Sequence, residues 1–489
     1  MSKLSKRSWL EYVPPCWELD GQANKRLEDI KRVLDDDDRA VVVLDDDPTG
    51  VQTIHDIMVT TQWDEDFLYQ LLAGKARGFF ILTNSRSFPQ EEAVRINRDI
   101  ARNLIKAASL ANRDFVVISR SDSTLRGHYP AEVDALRSTL QDSAGMEFDG
   151  EILMPVFVEG GRYTSGDIHL VEDSGALIPV GETEFARDAS FGFVESDLKE
   201  WIREKTYGRV SANEVRSISL EDIRNHGPNY VASILEETTP YTRYVVNAMT
   251  YDDIEGFVLG LLMAEAKGKR FLYRTAASFV RARMGLAGRP LLSGDEIYKS
   301  CQGQGEGSNV QGGLVIVGSH VKKSTEQLRD LMAQSYVRSF EFDVGRLVSG
   351  SAMSDEVRSI SNGVSSAICE GMVAVVYTSR DVVTAGSQKE SLAISQNVSI
   401  ALTQVVRQLN SQLPLRFIVA KGGITSSDIA TKGLDIKSAL VLGQIMPGIP
   451  VWKPLGKSRF PGIPYVVFPG NVGGPDALTE VVLKLRVTD

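Results

Sequence analysis

Short apolar runs recur through the first half of the chain, separated by longer stretches in which apolar residues return every three or four places. The runs are AVVVLD (40–45), GFFILTN (78–84), DFVVISR (114–120) and EILMPVF (151–157). They are rich in β-branched and aromatic residues, which suit strands. Between them, EEAVRINRDIARNLIKAA (91–108) sets Ala93, Ile96, Ile100, Leu104 and Ile105 on one helical face. Strands that are apolar throughout, alternating with amphipathic helices, predict a parallel sheet buried on both faces.

A second alternating series opens at GGLVIVGS (312–319) and continues through MVAVVYTS (372–379), a helix near 392–411, RFIVAKGG (416–423) and YVVFPGNVGG (465–474). Between the two series, residues 286–311 are weakly periodic and rich in glycine and polar side chains. A chain of 489 residues exceeds the ~250 to 300 at which single cores usually stop growing. The expectation is α/β with two domains, each a mostly parallel sheet flanked by helices, and a cleft between them. The N-terminal domain is placed at 1–285, the linker at 286–311 and the C-terminal domain at 312–489. No fixed-period internal repeat is evident.

Charge narrows the possible partners. A net charge of −10 argues against a general nucleic-acid or membrane-surface binder, which needs excess Lys and Arg. No apolar run reaches the ~18 residues expected of a membrane span, and the first ten residues lack the apolar stretch of a secretory signal. Cys16, Cys301 and Cys369 are far apart, so a disulfide scaffold is not expected and a reducing cytoplasm is. The histidines at 55, 128, 169, 226 and 320 have no metal-ligand spacing, so a structural zinc site is not expected.

In open α/β sheets, ligands bind beyond the carboxyl ends of the strands. The segments there are DDDPTG (45–50), TNSRS (83–87) and RSDSTLRG (120–127). Together they combine acids, hydroxyls and arginines fit to hold a small polyhydroxylated acid, with Arg86 or Arg126 pairing with its carboxylate. The alternative is that their Asp, Ser and Asn side chains merely cap the following helices, Asp46 or Asp47 capping one after Gly50. In the second half, VGSHVKKST (317–325), KGGITSSD (421–428) and PGNVGGPD (469–476) occupy similar positions. The latter two carry paired glycines that let backbone N–H groups approach a phosphate, although such a turn is also an ordinary tight turn. No P-loop or protein-kinase motif is present, and GQGEGS (303–308) follows no strand, so it is a poor dinucleotide loop.

Taken in order, these segments resemble the motifs of the four-carbon acid sugar kinases. DDPTG is similar to that family's DDxTG, SDSTLRG to its DSTLRG, PVFVEGGRYTSGDIHLV to its GR-containing segment, GGITS to its GGxTS, and PGNVGGPDAL to its SGNxGGxD. The resemblance spans nearly the whole chain. It implies an ATP-dependent kinase acting with Mg²⁺ on a small sugar acid in carbohydrate catabolism: threonate, erythronate, a 3-oxo-tetronate or a branched relative. A homodimer is also implied. On the substrate side it points to Asp46, Asp47, Arg86, Asp122, Ser123, Arg126 and Arg162. On the nucleotide side it points to Ser319, Gly422, Gly423, Ile424, Thr425, Ser426, Gly470 and Gly473. Asp47 is the first choice for the base that takes the hydroxyl proton and Asp46 the second; the metal ligands are left open. The chain departs from the pattern at Arg120, where the family has lysine, at Pro48, and at His320 and Val321 in GSHV. Two other readings stay open: a metal-assisted sugar-acid lyase or isomerase, and a silent sugar-acid-binding regulator.

Overall fold

The computed structural model describes residues 4–5, 23–173, 175–237, 241–301, 312–319, 321–345, 353–379, 388–470 and 472–486. The part of the expected linker at 302–311, together with Cys16 and His320, lies outside them. The chain divides into two compact units, one drawn from Met1–Thr53 and Gln62–Gly288, the other from Ile54–Thr61 and Arg289–Asp489.

The strands of both units are numbered here in chain order. The first unit contains β1 (Ala40–Asp45), β3 (Gly78–Leu82), β4 (Phe115–Arg120), β5 (Gly150–Met154), β9 (Val215–Ile218), β10 (Thr242–Val246) and β11 (Phe271–Thr275). They form one parallel run in the order β9-β10-β5-β11-β4-β1-β3. Every residue of β1, β3, β4, β5 and β11 is buried, as expected of strands covered on both faces. Helices Gln90–Ala111 and Ala131–Ala144 lie among the covering elements. The first buries Ala93, Ile96, Ile100 and Leu104. A small antiparallel sheet of β6 (Arg162–Ser165), β7 (Ile168–Asp173) and β8 (Ala176–Pro179), with the two-residue strand Leu4–Ser5 paired to β8, is not distinguished by the sequence pattern.

Registers bring the functional strand ends level. Asp45 stands opposite both Arg120 and Leu82, and Arg120 opposite Thr275. Parallel strands all point the same way, so the segments that follow them gather along one sheet edge.

The second unit holds β2 (Ile57–Thr60), β12 (Gly313–Val317), β13 (Val337–Phe342), β14 (Val373–Thr378), β15 (Ile418–Lys421), β16 (Ser438–Met446), β17 (Ile449–Leu455) and β18 (Tyr465–Phe468). Their order is β2-β16-β17-β18-β15-β12-β14-β13. Pairings from β18 to β13 are parallel, and those from β2 to β18 antiparallel. The eight residues 54–61 thus reach the second unit from within the first half of the sequence. Their strand pairs with β16 through Ile57↔Val441 and Thr60↔Ser438. Among the described residues, no helix is long and apolar enough to cross a membrane.

Candidate active site

Strand β1 ends at Asp45, and the three aspartates that follow from one another diverge in environment. Asp45 is almost fully buried and accepts a hydrogen bond from Arg120 at 2.9 Å. Burial pushes its carboxyl up to about 7, against the pull of Arg120. Gly50 packs directly on this carboxylate, leaving no room for a Cβ.

Asp47 caps the 3-10 turn Pro48–Val51: its Oδ1 accepts from the Thr49 backbone N–H at 2.8 Å and from Thr49 Oγ1 at 2.6 Å. No helix follows Gly50, so the expected cap serves the turn that contains it. Pro48 opens that turn because it fixes φ and has no N–H to satisfy. The other oxygen of Asp47 meets Arg86 at 2.5 Å. Burial raises this carboxyl, but Arg86 and the two Thr49 donors outweigh it, so Asp47 sits below the usual carboxylate range.

Asp46 is different. Its Oδ2 accepts from Ser121 Oγ at 2.6 Å, while its buried Oδ1 accepts no hydrogen bond among the described residues. That oxygen lies 3.9 Å from both the Arg86 and the Arg120 guanidinium. Burial dominates and holds Asp46 above the ordinary value, with Arg86, Arg120 and Arg274 opposing it and Glu132 assisting.

Arg86 also reaches Asp122 at 3.4 Å, and Arg126 binds the same Asp122 oxygen at 2.6 Å. Burial raises Asp122, but the two arginines overcome it and hold it ionised far below the usual range. The structure therefore brings Asp46, Asp47, Arg86, Asp122 and Arg126 into one linked cluster. Arg162 joins it through an aromatic ring: the guanidinium carbons of Arg126 and Arg162 lie 5.1 and 5.9 Å from the centroid of Phe185. The Ser123 side chain is buried, and its backbone carbonyl accepts from His169 Nε2 at 2.7 Å.

Because a carbonyl only accepts, His169 Nε2 must carry the proton, and Nδ1 accepts from Thr164 Oγ1 at 3.0 Å. Complete burial pushes this imidazole down to about 4. Unfolding restores the ordinary value near 6.5, so the unfolded chain binds the extra proton first as pH falls. Stability contributed by neutral His169 is whole above about 6.5 and is lost between there and about 4. Chemical denaturation across that window is expected to show a steeper loss for wild type than for His169→Gln, by up to roughly 3 kcal/mol. Parallel curves contradict a buried neutral His169.

Residues that motif reading passed over complete the site. Glu132 accepts from Ser85 Oγ at 2.5 Å and from Arg274 at 2.7 Å, and Arg274 also donates to Ser119 Oγ at 2.9 Å. Arg274 had a readable signal, a charge inside the apolar run FLYRTA. Glu132 had none, since a glutamate early in a helix is ordinary.

In the second unit, the segments after β12, β15 and β18 converge. Ser324 Oγ lies 3.2 Å from Ser319 Oγ and donates to the Gly470 carbonyl at 3.0 Å, while Gln327 binds the Val472 and Gly474 carbonyls at 3.0 and 2.7 Å. Gly422 and Gly473 have φ of +114° and +84°, values that L side chains rarely adopt. Gly423 and Ile424 begin the short helix Gly423–Asp428, and Ile424 is exposed. Thr425 packs against Gly318, and Ser426 Oγ donates to the Ala420 carbonyl at 2.7 Å. Lys421, unremarked in the sequence, is fully buried beside them with its Nζ on the Pro469 carbonyl at 3.0 Å; burial pushes it down to about 7.

Two sequence models match the chain. A sequence model described as a sugar-binding N-terminal domain matches residues 41–283, and one described as a nucleotide-binding C-terminal domain matches 314–478. A D-erythronate kinase from Heliobacterium modesticaldum is 36% identical over 109 residues, which span 22% of this chain and 21% of that kinase. A Salmonella typhimurium LT2 protein of solved structure superposes with a TM-score of 0.61 at 17% identity, covering 90% of this chain and 98% of the other. Haemophilus influenzae protein HI1011, of family DUF1537, gives 0.58 at 16% identity, covering 90% and 98%. At such identity the two superpositions speak for the fold alone. The domain matches, taken with the ordered motifs, show that the chain belongs to the four-carbon acid sugar kinase family.

Proposed function

We propose that the protein is an ATP-dependent kinase that phosphorylates a hydroxyl of a small sugar acid, a tetronate or a close relative, with Asp46 as the general base. The observation that carries this is the Asp46 carboxyl: one oxygen without a hydrogen bond, raised in affinity for protons, among guanidiniums that favour an anionic substrate. A base whose pKa is shifted toward the working pH takes a proton more effectively than one held strongly acidic. Asp47, the first choice from sequence, has both oxygens committed to Thr49 and Arg86. Its role in this reading is to hold Arg86 in place.

In phosphoryl transfer the protein positions the reactants and neutralises charge more than it forms bonds. Arg86, Arg126 and Arg162 bind the acid and orient it, Asp122 fixes the first two arginines, and Asp46 receives the hydroxyl proton. Gly422 and Gly473 leave their backbones open for close approach by phosphate oxygens. Among the described residues no group of three or more His, Cys, Asp or Glu could hold a metal ion. When bound, Mg²⁺-ATP supplies the phosphoryl group and screens its charge.

Calorimetric titration with ATP tests the nucleotide half. Wild type is expected to bind, and Gly422→Ala to bind roughly tenfold more weakly, because the added methyl meets Ser319 at about 3.1 Å in a strained backbone conformation. Acid binding should not change. Wild type that takes up no adenine nucleotide overturns the proposal.

A further inference from the structure

We infer that Phe185 is a positioning residue that sets a two-arginine clamp for the substrate's carboxylate; this rests on the sugar-acid reading above. Phe185 lies on the 3-10 turn Glu184–Arg187, outside every motif that carries the family resemblance. Its ring lies near both guanidiniums, at 5.1 Å from Arg126 and 5.9 Å from Arg162, within the distance at which a ring quadrupole attracts a cation.

Two like charges drawn to one ring repel each other, and the local structure does not cancel that repulsion evenly. Arg126 is balanced by Asp122 at 2.6 Å and by Asp188 at 3.6 Å. Arg162 forms no ion pair among the described residues and feels the Asp122 charge only from farther off. Its guanidinium donates to the Gly160 carbonyl, and its buried Nε has no hydrogen-bond partner among the described residues. Burial weakens its hold on the proton; the Asp122 charge opposes this without reversing it, and the neighbouring Arg126 charge adds to it. A buried guanidinium with an unused donor, sharing one ring with a second guanidinium, suits an anion able to accept from both. A carboxylate of the acid is the group in the proposed substrate that fits.

The aromatic face favours guanidinium positions over the ring, so neither side chain has to be ordered by the substrate alone, which preserves affinity. Asp188 shares the turn region and caps Ser190 and Phe191 through their backbone N–H groups at 2.8 and 3.0 Å, which ties the ring-bearing turn to the Arg126 ion pair.

The test compares wild type, Phe185→Leu and Phe185→Tyr, each checked for a native thermal transition. Calorimetry measures binding of the best tetronic acid and of its neutral amide. Phe185→Leu is expected to bind the acid roughly five- to tenfold more weakly, with the amide little changed, and Phe185→Tyr to restore acid binding. KM for the acid should rise in Phe185→Leu while KM for ATP holds. Equal losses for acid and amide would make the ring a general wall and overturn the clamp. Unchanged acid affinity in Phe185→Leu would overturn it as well. Wild type that binds no sugar acid at all removes the underlying reading and the clamp with it, a result distinct from the other two.

Discussion

Replacing Asp46 by Asn is expected to lower kcat by roughly 10²- to 10⁴-fold, the range usual for loss of a general base. Asn keeps the shape and still accepts from Ser121, so KM for both substrates should change little. Asp47→Asn should behave differently: it weakens the 2.5 Å contact to Arg86 and so raises KM for the acid more than it lowers kcat. The pH profile adds a second reading. Asp46 must be ionised to take a proton, so kcat/KM should fall as pH falls through its pKa. Because burial raises that pKa, the acid limb should lie above the 3.8 of a free aspartate. If Asp46→Asn kept activity within a few-fold while Asp47→Asn lost it, the roles would be reversed.

The second large effect is on stability. Glu132→Ala is expected to destabilise the first unit by about 3 to 5 kcal/mol, the cost of leaving a buried charge without its partner. Arg274 and Glu132 are both nearly inaccessible, with side chains 5% and 4% exposed, and the 2.7 Å pair also anchors Ser85 and Ser119. In a unit of this size, each kcal/mol should lower Tm by about 2 to 4 °C. Glu132→Ala combined with Arg274→Met should recover much of the loss, since an apolar pair needs no charge compensation. Glu132→Gln can still accept from Arg274, though its amide nitrogen cannot accept from Ser85, and it removes a negative charge that raises Asp46, so it should move the acid limb of kcat/KM to lower pH. A Tm for Glu132→Ala within 1 °C of wild type contradicts the paired-charge account.

Much of this was legible in the sequence, for identifiable reasons. The central strands of the first unit announced themselves because burial on both faces leaves few positions for polar residues. Their functional ends followed from the geometry of parallel sheets, which places Asp45, Thr83 and Arg120 along one edge. Residues 54–61 did not announce their membership of the second unit, because a four-residue strand pairs through its backbone and its partner lies some 380 positions away. The division of labour among the aspartates was equally hidden. Adjacent identical residues are separated only by which partners fold around them: Arg120 for Asp45, Ser121 for Asp46, Thr49 and Arg86 for Asp47. Glu132 and Phe185 carry no local signature, since each acts through residues distant in sequence.

The most direct measurement is ADP release by the wild-type chain, supplied with ATP and Mg²⁺ and offered a panel of four-carbon and branched sugar acids. Release is expected to depend on the acid, with at least one tetronate active and the matching neutral alcohols inactive. No ADP above the acid-free rate with any member of the panel would contradict it.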